Sequence, residues 1–435
     1  MTTTETVIAE IKETELGDIP VEWNVMSIEE ISKKEKNSIK IGPFGSQLKK
    51  EFLVSNGYKV YGQENVFAKD FSIGNRYITT EKYNQLKSCE LEPHDFVISM
   101  MGTIGKCAIV PDGIKHGIMD SHLIRIRLDE NVFQNKLLLH VISSDLVQRQ
   151  IKRLSVGGIM AGLSSKVIRQ IKLPVPSLDE QQKITEILST VDEQIKNASE
   201  LVVIAKELKR GLIQQLFKKG IGNTNFKQTV IGEIPTHWET SMLGDIVYKI
   251  TDGAHKTPKY TDKGIPFLRV VDIQKSSIDW DKTKYISIQE HTELIKRCHP
   301  EKGDILISKN GTIGITKLIN WEEEFSIFVS LCLIKLHKEN SLILPEFLVY
   351  FFESMTCQKQ FKNSSKQGTV TNLHLVEIRK LIIPLPTIEE QQKIAKILSS
   401  VDEQIESYEQ EKEKYMELKK GLMQQLLTGK LRVTV

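Results

Sequence analysis

Two stretches of this chain carry the same spacing of apolar positions. From Ile184, apolar or small residues recur at alternating steps of four and three through Leu188, Val191, Ile195, Ala198, Val202 and Ala205. A second run keeps the steps through Ile394, Leu398, Val401, Ile405, Tyr408, Lys412 and Tyr415. On a helix this spacing draws one stripe, a heptad seam. Ser177-Leu-Asp-Glu180 and Thr387-Ile-Glu-Glu390 precede the two runs and read as capping boxes. In such a box, hydroxyl and carboxylate take N–H groups that the first turn leaves unpaired. Pro176 and Pro386 keep the chain extended up to each cap. No proline interrupts either run, and Gly220 and Gly429 are natural stops. Each helix is then roughly 40 residues, or about 60 Å at 1.5 Å per residue.

A seam of that length outruns any small domain, so the economical solution packs the two seams together. The packing residues are Ile184, Leu188, Val191, Ile195 and Val202 against Ile394, Leu398, Val401 and Ile405. Halves related by a pseudo-twofold make the pair an antiparallel coiled coil. Two independent surface helices are the alternative, at the expense of an exposed apolar seam. Lys412 stands where Val202 does, either setting the register or lying beyond the packed region. Gly211 and Gly421 fall inside the helices at a cost of about 1 kcal/mol each relative to alanine. Close approach of another backbone, as from a partner subunit, explains them; a late helix break is the other reading.

The helices belong to a larger duplication. Lys12-Glu-Thr-Glu-Leu-Gly-Asp-Ile-Pro20 with Trp23 returns as Lys227-Gln-Thr-Val-Ile-Gly-Glu-Ile-Pro235 with Trp238. Gly102-Thr-Ile-Gly105 returns as Gly311-Thr-Ile-Gly314, and both are expected to be turns closing strand pairs. Strand-like stretches cover residues 95–101, 107–110, 122–128, 304–308 and 327–336, and amphipathic helices cover 134–154 and 345–362. The expected organisation is a tail at 1–15, α/β (α+β) domains at 16–176 and 221–386, and helices at 177–220 and 387–430.

Composition changes this picture little. The chain has 435 residues, 40% hydrophobic and 26% charged, with net charge +3. Binding to nucleic acid therefore rests on local basic surface. No apolar run is long enough for a membrane span, and residues 1–10 do not read as a signal peptide. The five scattered cysteines fit free thiols in a reducing cytoplasm. There is no Gly-x-x-x-x-Gly-Lys-Ser/Thr phosphate loop, no Asn/Asp-Pro-Pro-Tyr/Phe sequence and no metal-ligand spacing of histidines. The chain itself is not expected to be catalytic or to hold a metal.

The halves differ most in two glycine-containing loops. In the first, Lys34, Lys36 and Lys40 lead into Gly42, Phe44, Gly45, Ser46 and Gln47, with Lys49 behind. In the second, Asp252, Gly253, His255, Lys256, Thr257 and Lys259 are followed by Arg269. Such residues can place ammonium and backbone N–H groups on phosphates and polar side chains on base edges.

With these motifs the chain resembles the specificity subunits of type I restriction-modification systems over nearly its whole length. The resemblance rests on the repeated Gly-Asp/Glu-Ile-Pro and Trp segments, the Glu-Gln-Gln helix starts after Pro174 and Pro384, and Asp252-Gly-Ala-His-Lys-Thr-Pro258. It implies two target recognition domains, each reading half of a bipartite site on double-stranded DNA. It also implies that the helices act as spacer and dock two methyltransferase subunits, with restriction/translocase subunits outside them. S-adenosylmethionine, ATP and Mg would belong to those partners. Two alternatives stay open: a specificity subunit serving a fused methyltransferase-nuclease, and a coiled-coil adaptor with no DNA role.

Overall fold

The computed structural model describes residues 10–101, 105–154, 164–274, 277–339, 341–364 and 372–434. The chain forms two compact units. One holds the residues up to Ala198 together with those from Glu411 onward, and the other is Ser199–Gln410.

In the first unit a four-stranded antiparallel sheet runs in the order Ile39–Ile41, Leu123–Ile126, Phe96–Ser99, Cys107–Ile109. Alternation gives the sheet two apolar faces. Phe96, Ile98, Ile124 and Ile126 enter a core with helix residues Leu138 and Val141, while Val97 and Leu123 enter a second core. That second core is shared with a three-stranded sheet, Tyr77–Ile78, Tyr58–Tyr61 and Gly117–Met119, whose last pair is parallel.

The second unit repeats the topology. Its four-stranded sheet runs Lys249–Asp252, Leu331–Lys335, Ile305–Ser308, Thr316–Leu318. The smaller sheet gains a strand, in the order Tyr260–Thr261, Lys284–Ile286, Ile265–Leu268, Ser326–Ile327, and again ends on a parallel pair.

The structure refines several sequence expectations. The stretch expected as one strand over 327–336 splits into Ser326–Ile327 and Leu331–Lys335, which belong to different sheets. The expected helix over 134–154 is two helices, Asn135–Ser143 and Asp145–Leu154, and its counterpart is Pro345–Glu353 and Met355–Ser364. Extended serines make both breaks, and the Ser354 hydroxyl accepts the Cys357 N–H that the next helix leaves unpaired. Residues 1–9 of the expected tail lie outside the described residues; beyond them Ile11–Thr14 pairs with Gly17–Pro20. Gly311–Gly314 does connect two paired strands, with the Gly314 N–H bonded to the Ser308 carbonyl. Positions 102–104 of the first copy lie outside the described residues. All five cysteines are free, and four are buried.

The long helices span Leu178–Lys219 and Ile388–Leu426. Gly220 and Gly429 follow them with φ of +61° and +69°. Only half of each expected capping box forms. Ser177 and Thr387 hydroxyls accept the Glu180 and Glu390 N–H groups at 3.3 Å. The two carboxylates instead accept the indole N–H of Trp23 and Trp238 at 2.9 Å, tying each helix to its own domain. The next residues, Gln181 and Gln391, are fully buried and bond three backbone groups each. Gln181 donates to Val132 and Pro176 carbonyls and accepts from the Gln134 N–H; Gln391 repeats this with Leu342, Pro386 and Leu344.

Within each unit a segment of one helix packs antiparallel on a segment of the other. In the first, Ile184 and Leu188 share a core with Leu426 and Leu427, and Asp192 pairs with Lys419 at 2.6 Å. In the second, Ile394 and Leu398 pack with Ile213, Leu216 and Phe217, and Ala205 with Val401 and Ile405. There Lys206 pairs with Glu409 at 2.6 Å and Lys209 with Asp402 at 2.9 Å. Val191 is buried, while Ile195 and Val202 are half-buried.

Candidate nucleic-acid interface

Both variable loops leave their sheets from the same place. The strand Ile39–Ile41 ends at Gly42, whose N–H bonds the Leu123 carbonyl; Lys249–Asp252 ends at Gly253, whose N–H bonds the Leu331 carbonyl. A Cβ on Gly42 would stand 1.8 Å from the Asp120 carbonyl oxygen, and one on Gly253 2.0 Å from that of Ile327. Each loop thus departs across a contact that only glycine permits.

In the first unit the chain continues through exposed Phe44, Gly45 at φ +50°, Ser46 and Gln47. The Gln47 side-chain carbonyl accepts the Phe44 N–H at 3.2 Å, folding the loop into a short turn over Gly45–Gln47. Lys49 follows, exposed and 3.4 Å from Glu51. Lys40 sits on the strand opposite Arg125, half-buried. Lys34 and Lys36 precede the strand, and the Lys34 ammonium donates to the Glu29 and Glu30 carbonyls. Gly42, Phe44, Gly45, Ser46, Gln47 and Lys49 therefore form one continuous loop, with Lys34 and Lys36 on a separate turn.

In the second unit Asp252 is buried, so its carboxylate serves as an anchor rather than as an exposed contact. It lies 3.0 Å from His255 Nε2, 3.0 Å from Arg297 and 3.3 Å from Lys309. Burial alone would raise its pKa, but hydrogen bonding from His255 and the charge and hydrogen bonding of Lys309 outweigh that and lower it. An ionised carboxylate thus holds the start of a loop whose His255, Lys256, Thr257 and Lys259 are exposed. Arg269 stands on a different segment, the turn between Ile265–Leu268 and a short helix, Val270–Ile273. Its Nε and Nη2 meet the two Asp272 oxygens at 3.0 and 3.1 Å. Bonds from Phe328 N–H to the Leu268 carbonyl and from Val329 N–H to the Ala254 carbonyl bring this turn beside the loop.

The sequence reading missed the matching turn of the first unit. There Tyr61 ends the equivalent strand, Gly62 replaces Arg269, and Asn65 accepts the Gly62 N–H as Asp272 accepts that of Arg269. The Gln63 amide donates to the Met101 carbonyl at 2.5 Å, joining this turn to the end of the main sheet. Arg76, Glu64, Asp120 and His122 gather around it. The signal available in the sequence was the Asn or Asp that follows each strand end by four positions.

Among the described residues no helix is long and apolar enough to cross a membrane, and no group of three or more His, Cys, Asp or Glu could hold a metal ion. Comparison with known proteins bears on the whole frame. The model of the type I restriction modification DNA specificity domain matches residues 20–204 and again 235–415. The type I restriction enzyme MjaVIII specificity subunit of Methanocaldococcus jannaschii is 28% identical over 73% of this chain and 75% of its own length. A chain solved in work on assembly and conformational transition of the type I R-M system matches with TM-score 0.58 at 16% identity, over 95% of this chain and 99% of that one. The crystal structure of the type I system S subunit from M. genitalium matches with TM-score 0.51 at 15% identity, over 93% and 96%. Two matches to the family's domain, each running well into its long helix, account for most of the chain, and the protein belongs to the type I restriction-modification specificity subunits.

Proposed function

We propose that this subunit reads an asymmetric, bipartite site on double-stranded DNA, one half per unit. The observation that carries the reading is the pair of equivalent glycine departures, Gly42 and Gly253, from which loops of different chemistry leave matching main sheets. A shared frame fixes where a loop meets a groove, and its side chains decide which bases are accepted. The paired helices act as a spacer of about 60 Å.

The same helices offer a surface for methyltransferase subunits. Leu201, Ile204 and Leu208 are exposed at helical spacing on one helix, and Leu418 and Met416 on the other. Apart from the helix's own backbone and neighbours, none of the described residues comes within 4 Å of a Cβ built on Gly211 or Gly421, one turn beyond Leu208 and Leu418, so another backbone can approach closely there. Two methyltransferase subunits dock on these faces, with restriction/translocase subunits joining beyond them. Methylation, ATP use and cleavage, with S-adenosylmethionine, ATP and Mg, belong to those subunits, and the assembly works in the cytoplasm.

Single-molecule methylome sequencing of cells carrying this subunit and its methyltransferase tests the reading. A methylated motif of two different half-sites separated by unread bases is expected; a contiguous motif, or none, would refute it. Inserting four residues near Ser199, matched on the facing stretch of the other helix, adds about 6 Å. That is close to two base pairs at about 3.4 Å each. The spacer should lengthen with both half-sites unchanged, and altered half-sites with the old spacing would refute the measuring role.

A further inference from the structure

The geometry points to Arg76 as a specificity-determining residue of the first unit, one that takes a guanine by its O6 and N7 edge. The inference rests on the DNA-reading role proposed above. Its starting point is a coincidence between the units. In the second, an arginine grows from the strand-to-helix turn itself, at Arg269, and is held by Asp272. In the first, the equivalent position is Gly62, and no side chain can grow from it. The guanidinium of Arg76 fills the space instead: a Cβ on Gly62 would stand 2.1 Å from Arg76 Nη2. Two different chain positions thus deliver an arginine, each with a carboxylate partner, to the same turn beside the variable loop.

The surroundings suit recognition more than simple bracing. Arg76 Nη2 bonds Glu64 at 2.7 Å and Asp120 at 3.0 Å. Both carboxylates engage that one nitrogen. The side chain is one-third exposed, whereas that of Asp120 is nearly buried. Asp120 is itself fixed, because its other oxygen accepts the His122 N–H at 3.0 Å. The backbone carbonyl of Asp120 is the atom packed against Gly42, so Arg76 stands directly behind the origin of the variable loop. With both Nη2 hydrogens engaged, the guanidinium keeps its Nε–H and Nη1–H donors, which face opposite sides and each reach one acceptor, and guanine presents only acceptors, O6 and N7, on its major-groove edge. Asp120 and Glu64 are then positioning residues, which spare Arg76 part of the entropy of being ordered on DNA.

The test is methylome sequencing with the full chain and its methyltransferase, comparing wild type with Arg76→Gln, Arg76→Lys and Glu64→Gln. For Arg76→Gln, one G·C position of one half-site should become degenerate, with discrimination there falling roughly 10-fold, while the other half-site stays intact. Arg76→Lys should keep part of the preference, and Glu64→Gln should relax the same position more weakly. Uniformly reduced methylation of an unchanged motif by Arg76→Gln would overturn the inference and leave Arg76 a structural brace. Should Arg76→Gln fail to fold, as judged by the melting of the complex, the exposed Glu64 decides: relaxation at a single G·C position supports the inference, and an unchanged motif overturns it. A wild type with no bipartite motif would refute the DNA-reading role itself, which is a separate result.

Discussion

The two units share a frame but anchor their loops from opposite sides of the critical glycine. In the second, the buried carboxylate is Asp252, immediately before Gly253, and it gathers His255, Arg297 and Lys309. In the first, the residue before Gly42 is Ile41, and the nearly buried carboxylate is Asp120, across the glycine contact, where it holds Arg76. The fold therefore preserves where the loop begins and leaves free which segment supplies the charge that orders it. A change of anchor moves the fixed cation, and with it the donors available to a ligand, without disturbing the sheets.

The comparison breaks most sharply at the glycines. Gly42→Ala and Gly253→Ala each force a methyl group onto a carbonyl oxygen at about 2 Å, far inside contact distance, so loop and strand must part. Each variant should abolish recognition of its own half-site, with loss of detectable methylation at the full motif, read by methylome sequencing. Gly113→Asn is the control: Gly113 lies outside the variable loop, with φ +71°, no described residue within 4 Å of its Cβ beyond its own chain neighbours, and a conformation asparagine tolerates. It should leave methylation within severalfold of wild type. Equal losses in all three would mean that the contact at Gly42 and Gly253 is unimportant.

What the sequence reveals here follows from how far each interaction reaches along the chain. The long helices were legible because seam and cap lie within a few residues of one another, as at Ser177, Ile184 and Leu188. The fate of Glu180 and Glu390 was not, since their indole partners lie 157 and 152 residues away. Asp252 reads as a surface residue beside a glycine, yet the neighbouring His255 and the cations Arg297 and Lys309, brought in from two other segments, make its burial tolerable. The Arg76–Asp120 contact spans 44 residues and two sheet-edge loops, so neither residue stands out in its local context. The loops chosen from their divergence run as continuous stretches from Gly42 and Gly253, with Lys34, Lys36 and Arg269 on other segments, and the turns beside them carry no glycine-rich or lysine-rich signature.

A second contrast lies where the recognition domains meet the helices. In the first unit the buried His140 faces Asp192 at 3.7 Å and is pushed down to about 4 by burial, with the Lys419 charge adding to the effect. The second unit has Tyr350 in this place, donating its hydroxyl to Asp402 at 2.8 Å. Because the folded pKa of His140 lies below its unfolded value near 6.5, both states hold it neutral above that pH. As pH falls from 6.5 toward about 4 the unfolded chain gains a proton that the folded one refuses, and stability is lost. The loss should reach about 2–3 kcal/mol by pH 4.5. His140→Tyr should remove that share of the acid sensitivity, measured as urea midpoints at pH 7.5 and 4.5. Parallel decline in both proteins would show that His140 is not the group responsible.

The smallest effect separates two ion pairs that look alike. Lys419–Asp192 and Lys209–Asp402 join the same two motifs across the helix pair, at 2.6 and 2.9 Å. Both aspartates are more than two-fifths exposed, so solvent screening holds each pair to about 1 kcal/mol or less. The neighbours decide which is worth more. Lys209 also meets Glu353 at 2.8 Å, so Asp402→Asn leaves its ammonium paired. Among the described residues the ion pair of Lys419 is with Asp192, and the same carboxylate is the anion facing His140. Asp192→Asn should therefore cost about 1 kcal/mol and Asp402→Asn about half as much, read from urea midpoints at neutral pH. Adding Glu353→Gln to Asp402→Asn strips Lys209 of both partners and should bring the second unit level with the first. A double variant no less stable than Asp402→Asn alone would mean that Glu353 does not share the ammonium in solution.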